Sequence, residues 1–226
     1  MFAEVNGVRI HYESAGEGRP LVLLHGNGED MSIFDVAVEE LKDHFRVITV
    51  DSRGHGLSQE VDVLHYSDIA EDVHCLIEAL GLERPVLFGY SDGGIAGLIL
   101  ASEHPDDLLR LAVAGANTDP SAIDWGDELS SLDRDDPYVR LMLEEPHISE
   151  WDLRSIRVPT LVIAGEFDMV KRSDTEFIAD RIPHGHMYIV PDEDHGSYVE
   201  NSVILPRLLK DWLLRAWSQS EGDDDG

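Results

Sequence analysis

Apolar positions recur along the chain in two rhythms. Short runs of β-branched and aliphatic residues read as buried strands, and longer runs with apolar positions three or four apart read as helices. Pro20-Leu21-Val22-Leu23-Leu24 and Phe45-Arg46-Val47-Ile48-Thr49-Val50 are of the first kind, as are 85–88, 111–114, 160–164 and 187–190. Asn6-Gly7, set between Val5 and Val8, predicts a hairpin turn. Helices are expected over about 31–43 and 93–103, with a long one over about 197–217 closing the chain. Ile69, Val73, Leu76, Ile77 and Leu80 share one helix face, and Gly81 stops that helix. Strands alternating with helices predict βαβ units: a mostly parallel, twisted sheet with helices on both faces.

One stretch breaks the rhythm. Residues 117–150 are polar and acidic, yet they carry Trp125, Leu129, Leu132, Tyr138, Leu141, Met142 and Leu143. That apolar content favours a short helical lid over a linker. The chain of 226 residues is therefore read as one domain over about 1–220 with this insertion, followed by an acidic, frayed tail, 221–226. Hydrophobic residues at 42% and charged residues at 28% exclude disorder. No apolar run approaches the ~18 residues of a membrane span. Met1-Phe2-Ala3-Glu4-Val5 lacks a basic, then apolar, signal segment, so a cytoplasmic location is expected. The single cysteine, Cys75, excludes an intrachain disulfide and reads as a buried small hydrophobe.

Charge adds a constraint. Lys+Arg 17 against Asp+Glu 46 leaves a net charge of −29, and the only lysines are Lys42, Lys171 and Lys210. Such a surface repels phosphates and anionic lipid, so no nucleic-acid or membrane partner is expected. A small-molecule substrate is expected, with the chain a monomer or homodimer. The acid excess reads either as a solubility feature or as adaptation to high salt, where screening relieves self-repulsion.

Chemistry concentrates at Gly89-Tyr90-Ser91-Asp92-Gly93-Gly94, which follows a predicted strand and opens a predicted helix. In that context Gly-x-Ser-x-Gly forms a nucleophile elbow. The tight turn lifts the serine Oγ above the sheet, and the amide of Asp92 faces the developing oxyanion at a helix N-terminus. A serine hydroxyl needs an adjacent base. Of the eleven histidines, His195 lies just past a predicted strand, at the carboxyl edge where α/β sites gather. His184 and His186 fall at the opposite end of that strand, and no further Cys/His cluster supports a metal pair there. His25 is read as structural, His55 as a loop residue and His74 as a helix-face residue. His11, His44, His65, His104 and His147 are read as surface residues. The base needs an acid to fix its tautomer. Asp168, at the end of a strand, is favoured over Asp119, while Asp192 and Asp194 read as solvated loop charges.

These motifs together resemble the α/β-hydrolase superfamily over essentially the whole chain. His25-Gly26-Asn27-Gly28 resembles its oxyanion loop, and Asp51-Ser52-Arg53-Gly54-His55-Gly56-Leu57-Ser58 resembles its Asp-x-Arg-Gly-x-Gly-x-Ser segment. The run from Val158 to Asp168 resembles the strand that delivers the acid, and Asp192-Glu193-Asp194-His195-Gly196 the loop that carries the histidine. The resemblance implies an α/β-hydrolase fold with Ser91, Asp168 and His195 as catalytic residues. It also implies an oxyanion hole made by the amides of Asn27 and Asp92. Arg53, Gly54 and Gly56 are read as a turn and a buried guanidinium.

The elbow itself resembles that of the biphenyl-hydrolase-like group, the valacyclovir-hydrolase type, which prefers esters of amino acids. Asp92 is thus either a helix N-terminal acid or a carboxylate that attracts a cationic substrate group. Tyr90, Trp125, Tyr138 and Met142 are candidates for the substrate pocket, and Trp125, Tyr138, Met142 and Leu143 are also candidates for packing alone. The expected function is hydrolysis of a small carboxylic ester, thioester or lactone through an acyl-enzyme, needing no metal or organic cofactor. Carbon–carbon bond hydrolases, haloperoxidase-like enzymes and aminopeptidases share the serine and stay open, as does a non-catalytic ligand-binding or signalling module. Dehalogenases and epoxide hydrolases of this fold use a carboxylate nucleophile, which Ser91 disfavours.

Overall fold

The computed structural model describes residues 1–126 and 130–220; Leu129 of the expected lid and the tail 221–226 lie outside the described residues. The strands are β1 (Phe2–Val5), β2 (Val8–Ala15), β3 (Pro20–Leu24), β4 (Arg46–Asp51), β5 (Val86–Tyr90), β6 (Arg110–Ala114), β7 (Thr160–Gly165) and β8 (Gly185–Val190). They form one eight-stranded sheet in the order β1-β2-β4-β3-β5-β6-β7-β8. β2 pairs antiparallel with β1 and β4, and every other neighbouring pair is parallel. The β1–β2 turn holds Asn6 at φ 44° and Gly7 at φ 77°, matching the twist of the strands it joins.

The central strands β3, β5, β6 and β7 are buried along nearly their whole length because both sheet faces are covered there, whereas β1, β2 and β8 toward the edges expose part of theirs. Leu21 and Leu23 enter one core cluster, while Val22 and Leu24 enter the other, as the two-residue period requires. The helices α2 (Tyr66–Ala79), α3 (Asp92–Glu103), α5 (Glu150–Ser155) and α6 (Arg172–Arg181) pack on the face of Val22. On the other face lie α1 (Asp35–Leu41) and α7 (Ile204–Ser220). β4 extends the sheet on one side of β3 and β5 on the other. The order in which strands are added therefore reverses at β3, and a crevice opens beyond the carboxyl ends of the strands there.

Several expectations change. The predicted helix over 31–43 opens as a 3-10 turn, Met31–Phe34, capped by the Asp30 side chain, before α1 begins. The closing helix starts at Ile204, not near 197. Tyr198 and Val199 are buried in turns, and Asn201 takes φ 48° while its amide donates to the Ile33 carbonyl at 2.7 Å. A left-handed residue committed to a long-range bond stops helix growth toward the N-terminus. His11 is buried rather than at the surface, because its Nδ1 meets Asp51 Oδ2 at 2.9 Å. Cys75 is only half-buried, with Sγ 3.8 Å from Glu71 Oε1.

The stretch expected to form a lid contains the 3-10 turn Pro120–Ala122 and the helix α4 (Pro137–Glu144), and leads into α5. A bridge between Ile123 and Val170 ties it to the loop after β7. Among the described residues no helix is long and apolar enough to cross a membrane.

Candidate active site

Ser91 sits between β5 and α3 at φ 51° and ψ −114°, a conformation that L-residues adopt only under tertiary constraint. Its amide donates to the Ala114 carbonyl at 2.8 Å, tying the turn to the neighbouring strand. The elbow's glycines are forced by contact. A Cβ on Gly89 would lie 2.1 Å from the Gly93 carbonyl oxygen, and one on Gly93 would lie 2.4 Å from that of Leu24. Backbone cannot yield there as a flexible side chain would, so any larger residue displaces the serine.

His195 reaches this serine from the loop after β8. Its Nε2 lies 3.1 Å from Ser91 Oγ, and its Nδ1 lies 2.7 Å from Asp168 Oδ1. Asp168, on the loop after β7, is buried, and its oxygens also accept from the amides of Val170 at 2.9 Å and Gly165 at 3.3 Å. A carboxylate only accepts, so the imidazole proton belongs on Nδ1 and Nε2 presents its lone pair to the hydroxyl. Gly115, just past β6, makes room for the ring: a Cβ there would stand 2.6 Å from His195 Cε1.

The loop after β3 is braced by two histidines. His25 is buried; its Nδ1 donates to the Gly26 carbonyl at 2.7 Å, and its Nε2 accepts the Ser52 amide at 3.0 Å. Burial lowers its pKa to about 4, so the ring is neutral near pH 7. His55 Nε2 accepts the Gly28 amide at 3.2 Å. Between them lies Asn27. Among the described residues, the main-chain N–H groups of Asn27 and Asp92 donate to no protein acceptor.

Asp92 is buried at the first turn of α3. It accepts from Asn27 Nδ2 and from the Tyr66 hydroxyl, each at 2.8 Å. Burial raises its pKa, and the two donors oppose that rise. A second carboxyl, Glu29, accepts the Gly26 amide through Oε2 at 2.8 Å. Burial first, then repulsion from Glu200 and Asp92, lifts its pKa to about 7 against the pull of Gly26 and His195.

Ser91, His195, Asn27 and Asp92 open onto a cavity of about 250 Å³. Of the candidate pocket residues, Tyr90, Trp125 and Met142 line it and Tyr138 does not. The Tyr138 ring stacks edge-on against His55, with centroids 4.8 Å apart, and its hydroxyl donates to the Gly54 carbonyl. It closes the wall behind the Asn27 loop. Asp119 is also elsewhere: it caps the turn at Ser121 and contacts His147, both away from His195. Arg53 is buried and grips Asp72 through two nitrogens, at 2.6 and 2.7 Å.

Glu29, Tyr66, Asn117, Ile123, Met169 and Val170 complete the lining and were not singled out from the sequence. Asn117 follows β6 at the carboxyl edge, a position that the strand-end rule flags. Tyr66 begins α2 and reaches the site only through tertiary packing, so no local signal marks it. A larger groove, of about 770 Å³, lies over β2 and β4 and contains neither Ser91 nor His195.

The family model described as alpha/beta hydrolase fold matches residues 19–142. The serine hydrolase BPHL of Homo sapiens is 28% identical over 92% of this chain and 84% of its own length. The 2-hydroxy-6-oxo-2,4-heptadienoate hydrolase of Pseudomonas putida is 33% identical over 92% of this chain and 93% of its own. Among solved structures, the enol-lactonase from Burkholderia xenovorans superposes with a TM-score of 0.80 at 24% identity, covering 95% of this chain and 100% of that one.

Proposed function

We propose, from the premise that the chain belongs to the alpha/beta hydrolase fold family, that it cleaves a small carboxylic ester, thioester or lactone through an acyl-enzyme on Ser91. The observation that carries this reading is the continuous contact from Asp168 Oδ1 through His195 to Ser91 Oγ. Ser91 Oγ attacks the substrate carbonyl as His195 Nε2 takes its proton. Asp168 holds the Nδ1 proton and stabilises the imidazolium. The tetrahedral oxyanion is received by the amides of Asn27 and Asp92. One such donor typically contributes ~2.7–4 kcal/mol to transition-state stabilisation. His195 then protonates the leaving alcohol or thiol. Water attacks the acyl carbon as His195 takes its proton, and His195 then returns that proton to Ser91 Oγ as the acid is released.

The pocket limits the substrate. A cavity of about 250 Å³ holds a small acyl group. Its lining carries two carboxyl side chains, Asp92 and Glu29, and no lysine or arginine among the described residues. That lining disfavours anionic acyl groups, because a charge brought into it loses hydration without gaining a partner.

The same lining favours a second reading, in which the acyl group carries an amine. The elbow's resemblance to the biphenyl-hydrolase-like group and the 28% identity with BPHL point the same way. In this reading the amine seats on Asp92. A hydrolysis panel across acyl length, lactones, thioesters and amino-acyl esters tests both, with Ser91→Ala as the blank. Turnover of neutral esters lost in Ser91→Ala supports the first. A preference for amino-acyl esters that disappears in Asp92→Asn supports the second, and equal rates on both ester types remove it.

A further inference from the structure

We infer that Glu29 is a specificity-determining residue: as a neutral carboxyl it admits uncharged esters to Ser91, and as a carboxylate it turns the pocket toward acyl groups that carry a positive charge. This rests on the reading of Ser91 as the hydrolytic nucleophile and adds the charge that the pocket selects. Glu29 lines the cavity together with Ser91 and His195. Its Oε2 accepts the Gly26 amide at 2.8 Å. A Cβ built on Gly26 would lie 2.7 Å from that oxygen, 3.1 Å from Ser91 Cβ and 3.2 Å from Tyr90 Cδ1, so the carboxyl stands beside the nucleophile.

The carboxyls of this site differ in how their charge is supported. Asp168 accepts from His195 Nδ1 and from the amides of Val170 and Gly165. Asp92 has a donor on each oxygen, the Tyr66 hydroxyl on Oδ1 and Asn27 Nδ2 on Oδ2. Among the described residues Glu29 has the Gly26 amide alone, and no lysine or arginine stands among the charged groups that face it. A half-buried carboxylate with one donor is poorly compensated, so its charge is the one that a change of pH or a bound cation can alter.

The charges facing Glu29 come from three elements. Glu200, in the turns that follow His195, and Asp92 on α3 oppose its ionisation, while His195 on the loop after β8 favours it. Tyr90 on β5 packs beside it; the Tyr90 hydroxyl donates to Glu200 Oε1 at 3.4 Å, and burial keeps that hydroxyl protonated. With a pKa of about 7, Glu29 changes charge across the neutral range. Ionised, it sets a negative charge close to the carbon where the oxyanion develops, which slows an uncharged ester by about 10-fold or more at short range in a partly buried site. A cationic acyl group supplies the partner that the carboxylate lacks. Glu29 itself makes and breaks no covalent bond in this scheme.

The test uses the full chain and two p-nitrophenyl esters of equal shape, the 4-(trimethylammonio)butanoate and the 5,5-dimethylhexanoate, with kcat/KM measured from pH 5.5 to pH 9. The ratio of the two values cancels the protonation of His195, which both reactions share. In the wild type the cationic-to-neutral ratio is expected to rise about 10-fold or more, with a midpoint near pH 7. Glu29→Gln, which keeps an acceptor for the Gly26 amide, loses the rise. Glu200→Gln keeps the rise and moves its midpoint to lower pH, because one repelling charge is gone. A ratio that stays flat in the wild type, a rise that survives in Glu29→Gln, or a midpoint unmoved in Glu200→Gln overturns the proposal and leaves hydrolysis on Ser91 standing. Nitrophenol release that is unchanged in Ser91→Ala removes the hydrolytic reading, and the proposal with it.

Discussion

Asn27 Nδ2 donates to Asp92 Oδ2 at 2.8 Å, so the two residues proposed to supply the oxyanion hole are tied together by their side chains. The Tyr66 hydroxyl holds the other Asp92 oxygen at 2.8 Å. Asp92→Ala cuts both links and frees the Asn27 loop. The expected result with a neutral ester is a fall in kcat of about 10²-fold, with KM little changed, because loosened positioning harms the transition state most. Steady-state kinetics on p-nitrophenyl acetate check this, and an unchanged kcat would show that the loop holds its place without the link.

Asp168 holds the imidazole in one tautomer. Asp168→Asn keeps the shape but replaces an acceptor with a group that can also donate, which permits the wrong tautomer at His195. A drop in kcat of roughly 10⁴-fold is expected with the fold intact. Circular dichroism and kinetics measured on one preparation separate this from simple unfolding.

Glu29 couples the pocket to pH. Its folded-state pKa is about 7, above the usual 4.5, so the native state holds a proton that the unfolded state has released. Ionising it in the folded protein opposes burial, and its contribution to stability therefore falls as pH rises from about 4.5 to 7. Urea denaturation of the wild type and Glu29→Gln at pH 5 and pH 8 isolates the effect. The variant gains stability relative to the wild type on going to pH 8. His25 has the opposite sign: with its pKa lowered to about 4, its contribution is lost as pH falls from about 6.5 to 4.

Salt should stabilise the protein. A net charge of −29 repels itself over distances that about 0.1 M salt screens only beyond ~10 Å, against ~3 Å at 1 M. A melting series in KCl is expected to rise over that range, each ~1 kcal/mol of relief adding about 2–4 °C. A flat series would mean that the acidic surface is neutral with respect to stability.

The parallel sheet and the strand-end positions of Ser91, Asp168 and His195 were legible because they rest on local signals: apolar runs, glycines that a turn demands, and an acid or histidine just past a strand. What the sequence concealed depends on tertiary contact. His11 lies between Ile10 and Tyr12, and the sequence does not show that Asp51, 40 positions away, meets its ring in the interior. Tyr138 lies in an apolar lid run, but its hydroxyl finds the Gly54 carbonyl and turns the ring out of the cavity. The apolar spacing from Tyr198 onward imitates a helix that the left-handed Asn201 interrupts. Gly115 is needed both for its left-handed backbone, φ 62°, and because His195, 80 positions later, leans against it.

The proposed reaction turns on Ser91 carrying the acyl group. The most direct measurement is intact-protein mass spectrometry of the acid-quenched reaction with p-nitrophenyl acetate in its first turnover, followed by peptide mapping. An acetyl adduct on Ser91, absent from Ser91→Ala and accumulating in His195→Ala only slowly, is the predicted result. Ester hydrolysis that persists in Ser91→Ala at the wild-type rate, or an adduct mapped to another residue, would contradict it.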